Sequence, residues 1–317
     1  MFLERSRPVW RPVLSSVLAV LMLVSASGCV DETAPSGKLD KAWGRRGLSA
    51  GRFQTPRAIA IDKHDRLYIV DKLGRIQVFT TEGEYLRGWR TPAIENGKPC
   101  GMTIDDEGHL VVADTHYFRV LFYQPDGTWL DEKTIGGTNG QQPGEFHFLT
   151  DVVQDSKGNY YVGEYGEHDR IQKFSSDGEF LLQWGGHGRE PGKFVRPQGM
   201  TVDEDDRIWV ADACNHRIQI FDETGQLLNV WGEHGSAVGQ LSYPYGITLD
   251  GRGHVYVCEF GNNRVQKFTV EGKPLGYWGV SGRREGQLHQ PWGLALDSQG
   301  RLHILDTYNH RVQRIML

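Results

Sequence analysis

An aspartate closing an apolar run recurs six times, at Asp62, Asp105, Asp155, Asp203, Asp250 and Asp297, in steps of 43, 50, 48, 47 and 47 residues. A period of that length is the strongest constraint on what this chain can fold into. Each unit is too small to bury a core alone, so the copies must stack on one another. Ahead of four of the aspartates stands Pro-x-Gly followed by an apolar residue: Pro99-Cys100-Gly101-Met102, Pro197-Gln198-Gly199-Met200, Pro244-Tyr245-Gly246-Ile247 and Pro291-Trp292-Gly293-Leu294. The first copy reads Pro56-Arg57-Ala58-Ile59. The third, Leu149-Thr150-Asp151-Val152, diverges most.

Behind each aspartate comes a turn and a second apolar run ending in a carboxylate: Asp71, Asp114, Glu164, Asp212, Glu259 and Asp306. A short loop and an arginine then open a third run, at Arg75, Arg119, Arg170, Arg217, Arg264 and Arg311. The fourth run closes on Trp-Gly at Trp184, Trp231 and Trp278, with Trp89 before Arg90 in the first copy and Ile135-Gly136 in the second. Apolar residues alternate along the runs, as half-buried strands require, and no copy carries a helical period. Four antiparallel strands per unit, six times over, predict an all-β, six-bladed β-propeller with minimal helix. Glycine makes up 40 of 317 residues, about 13% against a usual ~7%, because every unit needs tight turns. Length alone would suggest two domains; the repeat replaces them with one ring.

The sixth copy reaches Leu317 after its third strand. A matching fourth strand, Leu39-Asp40-Lys41-Ala42-Trp43-Gly44, lies at the other end of the chain. It is expected to complete the last blade and so remove the open edge. The units run approximately 47–90, 91–136, 137–185, 186–232, 233–279 and 280–317, the last completed by 39–44.

The first residues read as an export signal. Arg5, Arg7 and Arg11 precede the apolar run Val13–Val24, which is short for a membrane span of about 20 residues and fits a secretory signal. Ser25-Ala26-Ser27-Gly28-Cys29 resembles a bacterial lipobox, which implies a signal peptide over 1–28, acylation of Cys29 and a small, polar tether over 29–38 ahead of the propeller at 39–317. The alternative is plain secretion. The expected location is the bacterial cell envelope, periplasm-facing or at the surface, with the lipid as the sole membrane contact. Loss of residues 1–29 would leave 32 positive and 39 negative side chains, a net charge of −7, which opposes nucleic-acid binding.

The run Pro-x-Gly-apolar, Asp, Tyr-Val-x-Asp, Asn-His-Arg-Ile-Gln, Phe, Gly, Trp-Gly resembles the NHL repeat family over residues 39–317. The resemblance implies a six-bladed propeller. It is similar in style to the peptidylglycine amidating lyase domain, where three x residues of Pro-x-Gly are zinc-binding histidines. None of the six x residues here is histidine, although Tyr308 matches the place of that domain's catalytic tyrosine. His109, His187, His216, His234, His254 and His310 show no metal-ligand spacing. Calcium-dependent lactonases and strictosidine-synthase-like proteins also use six blades, but none of their motifs is present.

A binding site on a symmetric scaffold must break the symmetry, so the positions that vary between copies are the candidates. One is the x residue: Arg57, Cys100, Thr150, Gln198, Tyr245, Trp292. Another lies two residues after the second carboxylate and includes His116, Cys214 and Tyr308. Together Arg57, Cys100, Gln198, Tyr245, Trp292, His116 and Tyr308 would line one mouth of the channel, or simply fill its rim. The carboxylates and arginines recur in every copy, which suits a structural ring of ion pairs. Carboxylates converging on a cation such as Ca²⁺ are the alternative; no metal is assigned and no cofactor is required. Cys214 and Cys258 fall in adjacent blades, as free thiols or, in an oxidising compartment, a disulfide.

No catalytic set stands out. The reading that follows is a monomeric binding module for a protein, peptide or glycan. The alternative is a metal-dependent enzyme, of amidating-lyase or lactonase type. RNA binding, known for animal NHL propellers that follow a tripartite motif, is opposed by the export signal and the charge.

Overall fold

The computed structural model describes residues 36–317. The expected signal peptide, Cys29 and the tether up to residue 35 lie outside the described residues. Residues 36–317 form six four-stranded sheets, each built from strands adjacent in sequence except the last. Blade one, for example, is Pro56–Ile61, Leu67–Asp71, Arg75–Phe79 and Tyr85–Arg90. All pairings between neighbouring strands are antiparallel. Helix is confined, among the described residues, to four three-residue 3₁₀ turns.

The ring closes as the repeat predicts. Lys38–Trp43 pairs with Arg311–Met316, aligning Leu39 with Ile315 and Trp43 with Val312. Blade six thus takes its outer strand from the far end of the chain.

The core lies between blades. One cluster joins Tyr68, Val70, Ile76 and Val78 of blade one to Met102, Leu110, Val112 and Leu121 of blade two. The outer-strand tryptophans bridge such seams. Trp43 packs 4.8 Å from Phe79 and Trp231 4.9 Å from Phe268, each reaching the next blade. Such aromatic pairs contribute roughly 0.5–1.5 kcal/mol beyond their burial. At the axis the inner strands crowd together. A Cβ on Gly199 would stand 2.2 Å from the Tyr245 carbonyl oxygen of the next blade, which is why the x residue is followed by glycine there.

Candidate functional site at the channel mouth

The repeat carboxylates and arginines build loops. Arg217 Nε donates to Asp212 at 2.8 Å, and its terminal nitrogens donate to the carbonyls of Arg189, Glu190 and Lys193. Arg264 does the same with Glu259 and the carbonyls of Ser236, Ala237 and Gln240. Arg75–Asp71, Arg170–Glu164 and Arg311–Asp306 repeat the ion pair. A glutamine two residues on completes it: Gln219 Nε2 donates to Asp212, while its Oε1 accepts from the Gly192 amide. All six carboxylate residues are buried, and none lines the channel cavity. The alternative in which this ring faces the axis and holds Ca²⁺ lacks that geometry; outside blade two, both oxygens of each carboxylate accept from protein donors.

Blade two departs from this plan. Leu121 stands where the glutamine should be, Arg119 gives Asp114 one bond at 3.0 Å, and Asp114 Oδ1 has no partner. Burial pushes this carboxyl up to about 6, against the pull of Arg119.

The x residues behave differently. The strand register breaks between Pro56 and Ala58, Leu149 and Asp151, Pro197 and Gly199, and Pro244 and Gly246. Arg57, Thr150, Gln198 and Tyr245 are therefore β-bulge residues, whose side chains are re-aimed away from the sheet's ordinary alternation. Arg57, Cys100, Gln198, Tyr245 and Trp292 line one cavity of about 290 Å³ at the axis. Thr150 is buried beside it, its Oγ1 without a partner.

The residues in this mouth touch one another. The Arg57 guanidinium lies 5.1 Å from the Trp292 ring, and its Nη1 is 3.6 Å from Cys100 Sγ. Tyr245 meets Trp292 edge-on at 4.9 Å and stacks on Phe260 at 4.6 Å. Arg196 lies over Tyr165 at 4.7 Å and Tyr245 at 5.5 Å, and donates to Gln198 Oε1 at 3.0 Å. Arg57 Nε and Trp292 Nε1 are buried donors with no partner. A donor left bare in such a place costs about 1–3 kcal/mol, so the mouth favours an acceptor.

His116 stands next to the mouth without lining the cavity. Its ring is 5.0 Å from Phe148, and burial, aided by Arg57 and Lys98, lowers its pKa. Tyr308 does not join the cavity; it is exposed, 5.4 Å from the His289 ring. Cys214 and Cys258 are free thiols, as is Cys100. Cys258 is packed into the core between blades five and six, and burial raises its pKa well above the usual value.

Four contributors were not singled out from the sequence as site residues: Arg196, Tyr165, Phe260 and Asp151. Arg196 precedes the proline of copy four. Tyr165 and Phe260 each follow a repeat carboxylate, so the columns beside the chosen ones held the signal. Asp151 occupies the glycine position of the divergent third copy and lines the cavity. It accepts hydrogen bonds from the amides of Met200 and Val152, both at 2.9 Å. Gly101 leaves it room, since a Cβ there would fall 2.4 Å from Asp151 Oδ1. Burial outweighs both bonds and pushes its pKa up to about 7. Two further histidines, His147 and His168, come together with Glu167 on blade three, although they are 21 positions apart in sequence.

Comparison with known proteins follows the same units. The NHL repeat matches residues 194–221, 241–268 and 288–315, in blades four to six. Human NHL repeat-containing protein 3 is 28% identical over 182 residues, half of this chain and 49% of that protein. The chain thus spans about half the length of this relative. Rat peptidylglycine alpha-amidating monooxygenase is 33% identical over 127 residues, covering 37% of this chain and 13% of that protein. A gluconolactonase structure from Xanthomonas campestris superposes with a TM-score of 0.63 at 13% identity, covering 90% of this chain and all of that one; it shares the fold. Three blades thus match the NHL repeat and all six share one four-stranded plan, so the chain is a six-bladed β-propeller that carries NHL repeats.

Proposed function

We propose that this propeller is an exported, membrane-anchored binding module, working as a monomer, whose channel mouth takes a peptide or protein segment bearing a carboxylate beside an apolar or aromatic group. One observation carries the reading. Five symmetry-breaking x residues converge on a single cavity, where Arg57 and Trp292 hold unpartnered donors against an aromatic wall. The carboxylate would take those donors, and Tyr245 and Phe260 would supply apolar contact. Desolvated Arg–carboxylate bonds and aromatic anchors are the usual carriers of such affinity. A glycan carrying an acidic group presents the same chemistry and is an outcome of the same experiment.

Arrays of peptides with free and amidated C-termini, and acidic and neutral glycans, test this against the purified protein. Binding should favour the free carboxylate and be lost in the Arg57→Ala/Tyr245→Ala/Trp292→Ala variant. Unchanged binding in that variant removes the mouth from consideration.

One observation favours a second reading, a metal-dependent lyase or hydrolase. Asp151 is a channel carboxyl poised near neutrality, as acid–base catalysts are. Turnover of a lactone or an α-hydroxyglycine peptide that is lost in Asp151→Asn would support it; no turnover in any metal-supplemented assay would dispose of it.

A further inference from the structure

We propose that His147, Glu167 and His168 form a binding site for one zinc ion on the rim of blade three, separate from the channel mouth and independent of the function proposed above. His147 ends the loop entering the inner strand Phe148–Gln154. Glu167 and His168 sit on the loop after the second strand, Tyr160–Tyr165. The two strands pair Phe148 with Tyr165, so the residues just beyond that pair emerge side by side. A nitrogen from each imidazole and a carboxylate oxygen of Glu167 lie within 4.8 Å of one another. The imidazole rings are 5.6 Å apart. His147 Nε2 is 3.9 Å from Glu167 Oε2. Both Nε2 atoms are buried, and neither has a hydrogen-bond partner.

The scaffold does not account for these side chains. In blades four, five and six the residue two before the arginine is asparagine. Asn215, Asn262 and Asn309 each donate to the buried carboxylate and to a carbonyl of the preceding loop. His168 holds that place in blade three, and its Nε2 makes neither bond. Blades one and two also lack this asparagine, with Leu73 and Tyr117 there, but blade three presents an imidazole in its place, beside His147. Local rules are broken in this way mostly where a site replaces them.

The donor set suits zinc. Imidazole nitrogens favour zinc and its transition-metal neighbours over Ca²⁺ or Mg²⁺. Two histidines and one carboxylate leave a tetrahedral ion with an open fourth position. Zn–N bonds of about 2.0–2.1 Å place tetrahedral nitrogens about 3.3 Å apart, which side-chain rotations of about an ångström would bring about. Glu167 is 74% exposed, its Oε2 accepting from Gln141 Nε2 at a long 3.5 Å, so the open position would face solvent.

The test uses the full chain stripped with chelator, titrated with Zn²⁺ by calorimetry and with Co²⁺ by visible absorption. His168→Asn restores the residue of blades four to six and should keep the fold. One equivalent of Zn²⁺ should bind and raise the melting temperature, and Co²⁺ should give a tetrahedral spectrum. His168→Asn and His147→Ala should each weaken binding at least about 100-fold, the upper end for loss of groups that merely support a ligand. The proposal is overturned if the stripped wild type takes up no stoichiometric zinc, or if either variant binds as the wild type does.

Discussion

The imidazole Nδ1 of His310 accepts a hydrogen bond from the Thr55 backbone N–H at 3.0 Å, tying blade six to blade one across 255 residues of sequence. His216 serves Tyr243 in the same way at 3.1 Å, while Asn263 serves Gln290 and Asp169 serves Arg196. The four residues so held each precede a repeat proline (Pro56, Pro244, Pro291 and Pro197) and sit at positive φ, between 48° and 61°, a conformation that non-glycine residues avoid. The position before the repeat arginine is therefore an inter-blade latch that stabilises a strained entry into the next inner strand.

An accepting Nδ1 must be unprotonated, which makes two of the latches sensitive to acid. Burial, followed by Arg46 and Lys72, depresses the pKa of His310; burial, followed by His234 and Arg189, depresses that of His216. The unfolded chain, with histidines near 6.5, then binds more protons than the folded one, so this stability is present above that value and lost as pH falls below it. Melting temperature should fall from pH 7 to pH 5. The variant His216→Asn/His310→Asn, which copies Asn263, should lose less over that range. Each broken latch costs about 1 kcal/mol, and parallel melting curves for wild type and variant would fail the idea.

The same buried ion pair should be worth different amounts in different blades. Removing Arg217 would strand Asp212, whose carboxyl burial already raises while Asn215, the Val195 amide and Arg217 pull it down. It would also free three loop carbonyls. Breaking a buried pair from one side costs about 3–5 kcal/mol, so Arg217→Ala should fall in that range by urea unfolding. Arg119→Ala should cost markedly less, because Asp114 has one bond to lose and, with a pKa of about 6, accepts a proton readily. Equal losses would show that blade two is no exception.

The ring was legible in the sequence because the blades repeat the same physical requirements: alternation in all, a glycine where inner strands touch in four, and a tryptophan at the seam in five. The channel-mouth residues were legible for the opposite reason, as the slot where the copies disagree. What sequence could not give was depth. Tyr308 and Tyr245 occupy comparable varying slots, yet one is exposed and the other lines the cavity, because the x slot lies at the start of the inner strand and the other slot in a turn after the second strand. His147 and His168 escaped notice because the spacing between them is set by a hairpin register and not by a motif. Asp151 was visible as an irregularity, but its meaning depended on Gly101 leaving room for it in the neighbouring blade.

Asp151 should make stability fall with rising pH in the range where most carboxylates do the reverse. Its folded pKa is raised to about 7, against about 3.9 unfolded. The folded state then binds more protons between those values, so stability drops as pH climbs from about 4 to 7. Asp151→Asn should remove that slope, at the cost of one accepted amide bond, about 1 kcal/mol. Difference curves of unfolding free energy against pH decide it; a slope unchanged in the variant would mean that Asp151 ionises normally.

The closing strand should be the place where stability and solubility part company. Trp43 packs on Phe79 at 4.8 Å and Phe53 at 5.9 Å, and it anchors the one blade strand contributed from the far end of the chain. Trp231 makes the equivalent contact with Phe268, but its strand follows its own hairpin. Trp43→Ala and Trp231→Ala should each cost about 3 kcal/mol, the lower end for truncating an aromatic in a core. Only the first should let the outer strand leave, exposing Arg311–Met316 as an unpaired edge open to other chains. Light scattering during mild heating should therefore rise for Trp43→Ala well below its unfolding midpoint and stay flat for Trp231→Ala. If both variants scatter alike, the clasp is no weaker than any other strand.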